Sequence, residues 1–104
     1  MDIFKLIDAA AGTMIGEPYT LDKNLWKGGG SLPILLTGLG GGTVTLEATI
    51  ATQQEIEEDT AVWATVSQAS WTANTADGLF TPFTHIRGRV VAYSSGTITM
   101  TTFV

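Results

Sequence analysis

The chain has 104 residues, only 14% of them charged, and a net charge of −5. Five basic residues in all exclude a phosphate-neutralising nucleic-acid surface, and the absence of cysteine excludes a disulfide framework, a thiol nucleophile and a Cys-ligated metal. No apolar run approaches the ~20 residues that cross a bilayer as a helix, which argues against a membrane partner.

The N-terminal stretch MDIFKLIDAAAGTMIG lacks the basic start and long apolar centre of a signal peptide, so the expectation is synthesis in the cytoplasm without classical export. Ile3, Phe4, Leu6 and Ile7 would suit one face of a short helix, but Gly12 and Gly16 cut it off; residues 1–20 are expected to form an N-terminal arm or edge strand. EPYTLD and NLWKG read as short extended pieces around Tyr19 and Trp26.

Next comes SLPILLTGL, then glycines, then GGTVTLEATI. Val44, Leu46, Ala48 and Ile50 alternate with Thr43, Thr45, Glu47 and Thr49, the period of a strand with one buried face. A near echo closes the chain. HIRGRVVAY leads through SSG into TITMTTFV, aligning Gly42 with Gly96, Val44 with Ile98 and Leu46 with Met100. Two apolar runs around a glycine break suggest a hairpin, so each copy is expected to be the return strand of one hairpin.

Between the copies, QQEIEEDT reads as a polar connection and NTADG as a turn. AVWATVSQASWTANT holds one or two strands with Val62, Ala64 and Val66 on one face and Trp63 and Thr65 on the other. Seventeen threonines and twelve glycines complete the usage of a β protein with short turns. The expected fold is one all-β domain over 1–104, a small antiparallel β-sandwich or flattened barrel of about seven to nine short strands.

Chemistry-bearing groupings are sparse. KGGGS and GLGGGT lack the Gly-Lys-Ser/Thr and following helix of a phosphate loop, so turn glycine is the better reading. Glu55, Glu57, Glu58 and Asp59 could offer oxygens to calcium but lack the spacing of a calcium loop; a solvated connection is preferred. His85 is the single histidine, and no nucleophile elbow accompanies it, so a hydrolase has little support. No metal or cofactor is expected, and no enzymatic activity.

Of the tryptophans, Trp63 is expected in the core, while Trp71 and Trp26 could be exposed rings able to stack on a sugar or a partner. Along HIRGRVV, His85, Arg87 and Arg89 share one strand face, opposite Ile86, Gly88 and Val90. Adjacent like charges need an answer. Either Glu47 or another carboxylate pairs with the arginines across the sheet, the favoured alternative, or they meet carboxylates on a partner. Trp71, Trp26, His85, Arg87 and Arg89 are therefore the candidate interaction surface. Few charges and three tryptophans also point to a homo-oligomer, trimer first.

The order FKLIDAAAGT, GGTVTLEATI, a Trp after a polar loop, then FTHIRGRVVAYSSGTITM resembles a group of small virion structural proteins of tailed bacteriophages. The matching positions are Gly42 to Leu46, Trp63, Ile86, Arg87 and Ser95 to Met100. The loop after Ile50, ATQQEIEED here, departs from the Ser-x-Asp-Gly turn frequent in that group. The resemblance implies a non-enzymatic particle component at the capsid surface: a decoration (cement) protein binding the major capsid protein. The alternative is a carbohydrate-binding or adhesion module of a fibre.

Overall fold

The computed structural model describes residues 3–20, 32–79 and 84–103. Trp26, the KGGGS glycines and NLWKG lie outside the described residues. The strands among the described residues are all antiparallel, as the alternation requires, and one helical turn accompanies them. The strands are β1 (Ile3–Ala10), β2 (Met14–Ile15), β3 (Tyr19–Thr20), β4 (Leu32–Thr49), β5 (Ala64–Trp71), β6 (Thr75–Leu79) and β7 (His85–Phe103), with helix α1 (Gln53–Glu57) between β4 and β5.

The two expected hairpins do not form. Each pair of runs is instead one long strand, 18 residues in β4 and 19 in β7, and the two strands pair with each other. The leading arm of β4 (Ile34–Thr37) lies beside the trailing arm of β7 (Thr99–Thr102), and Thr43–Thr49 lies beside His85–Ala92. The glycine breaks are bends with register shifts, not reversals. They meet across the ladder, with Leu39 opposite Gly96. Gly38 (φ 74°) and Gly96 (φ 106°) occupy left-handed backbone, and a Cβ on either would collide with the other strand's backbone. The echoed phrase marks the second arm of each strand, beyond a shared bend.

Each arm of the long pair carries its own flanking strands. β1 and β6 flank the arms that contain Thr99–Thr102 and Ile34–Thr37, while β2, β3 and β5 flank the other two. One bent sheet thus folds over itself into two layers around one core. Leu6 and Ile7 of β1, Leu36, Val44 and Leu46 of β4, Trp71 of β5 and Ile86, Val90, Ile98 and Met100 of β7 all belong to it. The layers meet closely at Gly88, where a Cβ would stand 2.7 Å from Ile7 Cγ1 and 3.3 Å from Met100 Sδ. The all-β expectation and the edge-strand reading of the N-terminus both hold, β1 pairing with β7. Two register shifts in β1 turn Leu6 and Ile7 both inward, which is why its apolar spacing mimics a helix.

Three local expectations are corrected. QQEIEEDT is not merely a connection, because Thr52-x-x-Glu55 forms a capping box that starts α1: the Glu55 N–H donates to Thr52 Oγ1 (3.2 Å) and the Thr52 N–H to Glu55 Oε1 (3.1 Å). NTADG is a turn only at its start, since Thr75 already enters β6 and pairs with Leu36. Asn74 Oδ1 accepts from the Leu39 N–H at 2.8 Å, tying that turn to the β4 bend. Val62 does not share a buried face with Val66; it precedes β5 and is 84% exposed.

Candidate functional site

Alternation predicts that Thr43, Thr45, Glu47 and Thr49 face solvent. Thr45, Glu47 and Thr49 are instead buried, at 7%, 6% and 5% exposure. Their β7 partners in register are Arg89, Arg87 and His85, so the sheet's outer face carries a polar stripe two strands wide. It is the densest grouping of ionisable side chains tied to the sheet among the described residues.

Glu47 organises the stripe. Arg87 Nε donates to its Oε1 at 2.7 Å and an Arg89 Nη donates to its Oε2 at 3.2 Å. Both carboxylate oxygens are therefore engaged by cations, and each arginine's repulsion of the other is answered within the sheet. The Arg87 side chain is 17% exposed and that of Arg89 43%. The Trp63 ring lies over the Arg87 guanidinium, 4.2 Å from carbon to ring centroid, a cation–π contact that covers the ion pair.

His85, at 4% exposure, fastens the loop after β4 to the start of β7. The Thr84 hydroxyl donates to Ala51 O at 2.8 Å, with Thr49 O at 3.0 Å. Its one proton is committed there, so Oγ1 accepts from His85 Nδ1–H, 3.0 Å away. Nε2 lies 2.9 Å from Gln53 Oε1, which accepts when Nε2 carries a proton. Burial lowers the His85 pKa below its ordinary value, which favours the neutral ring.

The two tryptophans are exchanged relative to expectation. Trp71 is buried in the core, 9% exposed, because it sits opposite the inward-facing Val44. Trp63 precedes β5 and lies half-buried over Arg87 on the outer face. The cause is a bulge in β5. The register runs Thr45↔Ser70 and then Glu47↔Thr65, so the strand advances five residues while β4 advances two. Of the five candidate interaction residues, the structure brings His85, Arg87 and Arg89 onto one face and places Trp71 in the core. Trp26 lies outside the described residues.

Glu47, the favoured counter-charge, is the stripe's centre; Trp63, expected in the core, is its cover, and Thr84 and Gln53, which the sequence did not single out, are the histidine's partners. Thr45 Oγ1 is the exception within it, buried with no hydrogen-bond partner among the described residues. Glu55, Glu57, Glu58 and Asp59 are separate from the stripe, on α1 and just after it, and all four are exposed. Glu55 turns to Thr52, and Glu58 Oε1 accepts from Gln54 Nε2 at 3.1 Å. Among the described residues no three His, Cys, Asp or Glu side chains gather as a metal site.

With one carboxylate oxygen held by each arginine, Glu47 ties β4 to β7 across the outer face. Among the described residues the large hydrophobic side chains left exposed are Ile15, Leu35, Ile50, Val62 and Val91, at 41% to 84%. Compared with known protein families, with curated proteins and with solved structures, the chain has no significant match.

Proposed function

We propose that this chain is a non-enzymatic structural component of a tailed-bacteriophage virion, namely a capsid decoration protein that clips neighbouring shell subunits. The strand and turn pattern that resembles that group supports the phage assignment. The observation that carries the mechanism is the pairing of Arg87 and Arg89 with Glu47. Both arginines are tied to one carboxylate within the sheet, and large aliphatic side chains stand exposed on the described surface. Such a surface binds by many small apolar contacts, repeated by symmetry over a particle, rather than by one strong site. The partners are the major capsid protein and further copies of this chain.

The carbohydrate-binding alternative loses its leading ring, because a tryptophan in the core cannot stack on a sugar. Its other candidate ring, Trp26, lies outside the described residues. The test is electron microscopy with immunogold labelling of particles purified from the cells that make this protein. Labelled shells support the reading; recovery of the protein only in the particle-free fraction refutes it.

A further inference from the structure

Two surface grooves share no residue and differ in charge. The first, about 310 Å³, is lined by Thr49, Ile50, Ala51, Glu55 and Val62. Its two large aliphatic side chains are the most exposed large hydrophobics among the described residues, 79% for Ile50 and 84% for Val62. Glu57, Glu58 and Asp59 stand nearby on α1 and its exit, all exposed. No Lys or Arg occurs between Glu47 and Arg87, so this end of the molecule is acidic and apolar together.

The second groove, about 300 Å³, is lined by Thr13, Met14, Ile15, Arg89, Val90 and Val91. Ile15 and Val91 are about half exposed, at 51% and 48%. Arg89 gives one nitrogen to Glu47 and keeps 43% of its side chain in solvent, so its fork retains donors for a second carboxylate. This groove is basic and apolar together.

We propose, building on the oligomeric virion reading, that each groove is filled by a second copy of this chain. The Ile50–Val62 end of one copy, with its acidic helix, seats against the Ile15–Val91–Arg89 groove of the next. Charge complementarity selects the pairing. Copies with a net charge of −5 repel one another in most orientations, and a contact that opposes the acidic end to Arg89 is one where the charges attract. The apolar pairs then supply the burial that opposite charge alone does not. A standard interface of roughly 800 Å² per partner would take about one-seventh of the 5769 Å² accessible surface, which a small chain can give. Because the two surfaces differ, the contact is head to tail, and it closes into a ring where the rotation allows, a trimer being the smallest beyond a pair.

The experiment uses two variants of the full chain, I50T/V62T and I15T/V91T. Threonine keeps strand propensity, and the replaced groups are largely or half exposed, so thermal melts should stay near that of the parent and serve as the check on folding. Sedimentation velocity from 1 to 100 µM should show the parent chain assembling and each variant alone remaining monomeric. An equimolar mixture should form a heterodimer and stop there, since each variant keeps one working surface. R89E should weaken parent assembly at least tenfold and reduce its salt dependence. A monomeric parent chain at 100 µM, assembly of either folded variant alone, or a mixture that stays monomeric overturns the proposal. These readouts involve no particle. A chain that assembles but stays off virions therefore refutes the virion reading alone, and a monomer that decorates shells refutes this inference alone.

Discussion

Glu47→Gln keeps the shape of the side chain and removes only its charge. In the parent protein the carboxylate is 8% exposed and accepts from both Arg87 and Arg89. Removing one member of a fully buried ion pair costs about 3–5 kcal/mol because the remaining charge is left desolvated. The stranded charges here are less buried, Arg87 at 17% and Arg89 at 43%, and water can partly reclaim the second. The expected loss is therefore about 2–3 kcal/mol, between the buried and surface limits. At about 4–8 °C per kcal/mol for a domain of this size, the melting temperature should fall by roughly 10–20 °C. Arg87→Gln should cost about 2 kcal/mol, including the Trp63 contact. Arg89→Gln should cost less than about 1 kcal/mol, as a largely exposed pair does. Urea unfolding followed by tryptophan fluorescence measures all three. If Glu47→Gln changes stability by less than about 0.5 kcal/mol, the usual range for uninvolved surface positions, or if the two arginine variants cost the same, the burial-weighted reasoning is refuted.

Gly96→Ala places a Cβ against the Gly38 carbonyl at a left-handed φ, so a loss of about 1–3 kcal/mol is expected in thermal denaturation, with Gly38→Ala comparable. Leu46→Ala, at a fully buried core position, should cost about 2–5 kcal/mol by urea midpoint. Thr45→Val removes a buried hydroxyl that has no partner among the described residues, and its melting temperature should equal or exceed that of the parent. His85 has a folded pKa below its ordinary value, so the unfolded chain binds the proton more readily in mild acid. Its contribution to stability is present above about pH 6.5 and declines as pH falls below it. Melting temperature between pH 7.5 and 5.5 should drop more in the parent than in His85→Gln, and equal slopes would remove the histidine from the account.

The faces of the strands were legible in the sequence and their partners were not. Alternation from Val44 to Ala48 and from Ile98 to Met100 marks the buried sides correctly. It does not say which strand lies alongside. A glycine break between two apolar runs is compatible with a reversal or with a bend, and neither break contains the Asn-Gly or Asp-Gly pair that a tight hairpin favours. The one Asp-Gly in the chain, Asp77-Gly78, lies inside β6, opposite Ile34 and Pro33. Polar character was likewise no guide to exposure on the outer face. Thr45, Glu47 and Thr49 read as solvated, yet they are buried among partners that are themselves polar. The Glu47–arginine pairing was anticipated because two adjacent cations on a strand demand a counter-charge. The exchange of Trp63 and Trp71 was not, because a bulge of several residues leaves no periodic trace.

The long pairing of β4 with β7 also sets the order in which the chain can assemble. Thr49 and His85 are 36 residues apart in sequence, and Ile34 and Thr102 are 68 apart. The ladder can therefore zip from its Thr49–His85 end, each later pair closing only a slightly larger loop than the one before. Nearly all these contacts are non-local, which places folding on the millisecond-to-second scale of β topologies rather than the microseconds of helical bundles. Once zipped, both layers hang on the same two strands. Opening either central arm therefore disturbs both layers, while the two-residue strands β2 and β3 pair with β7 alone among the described strands.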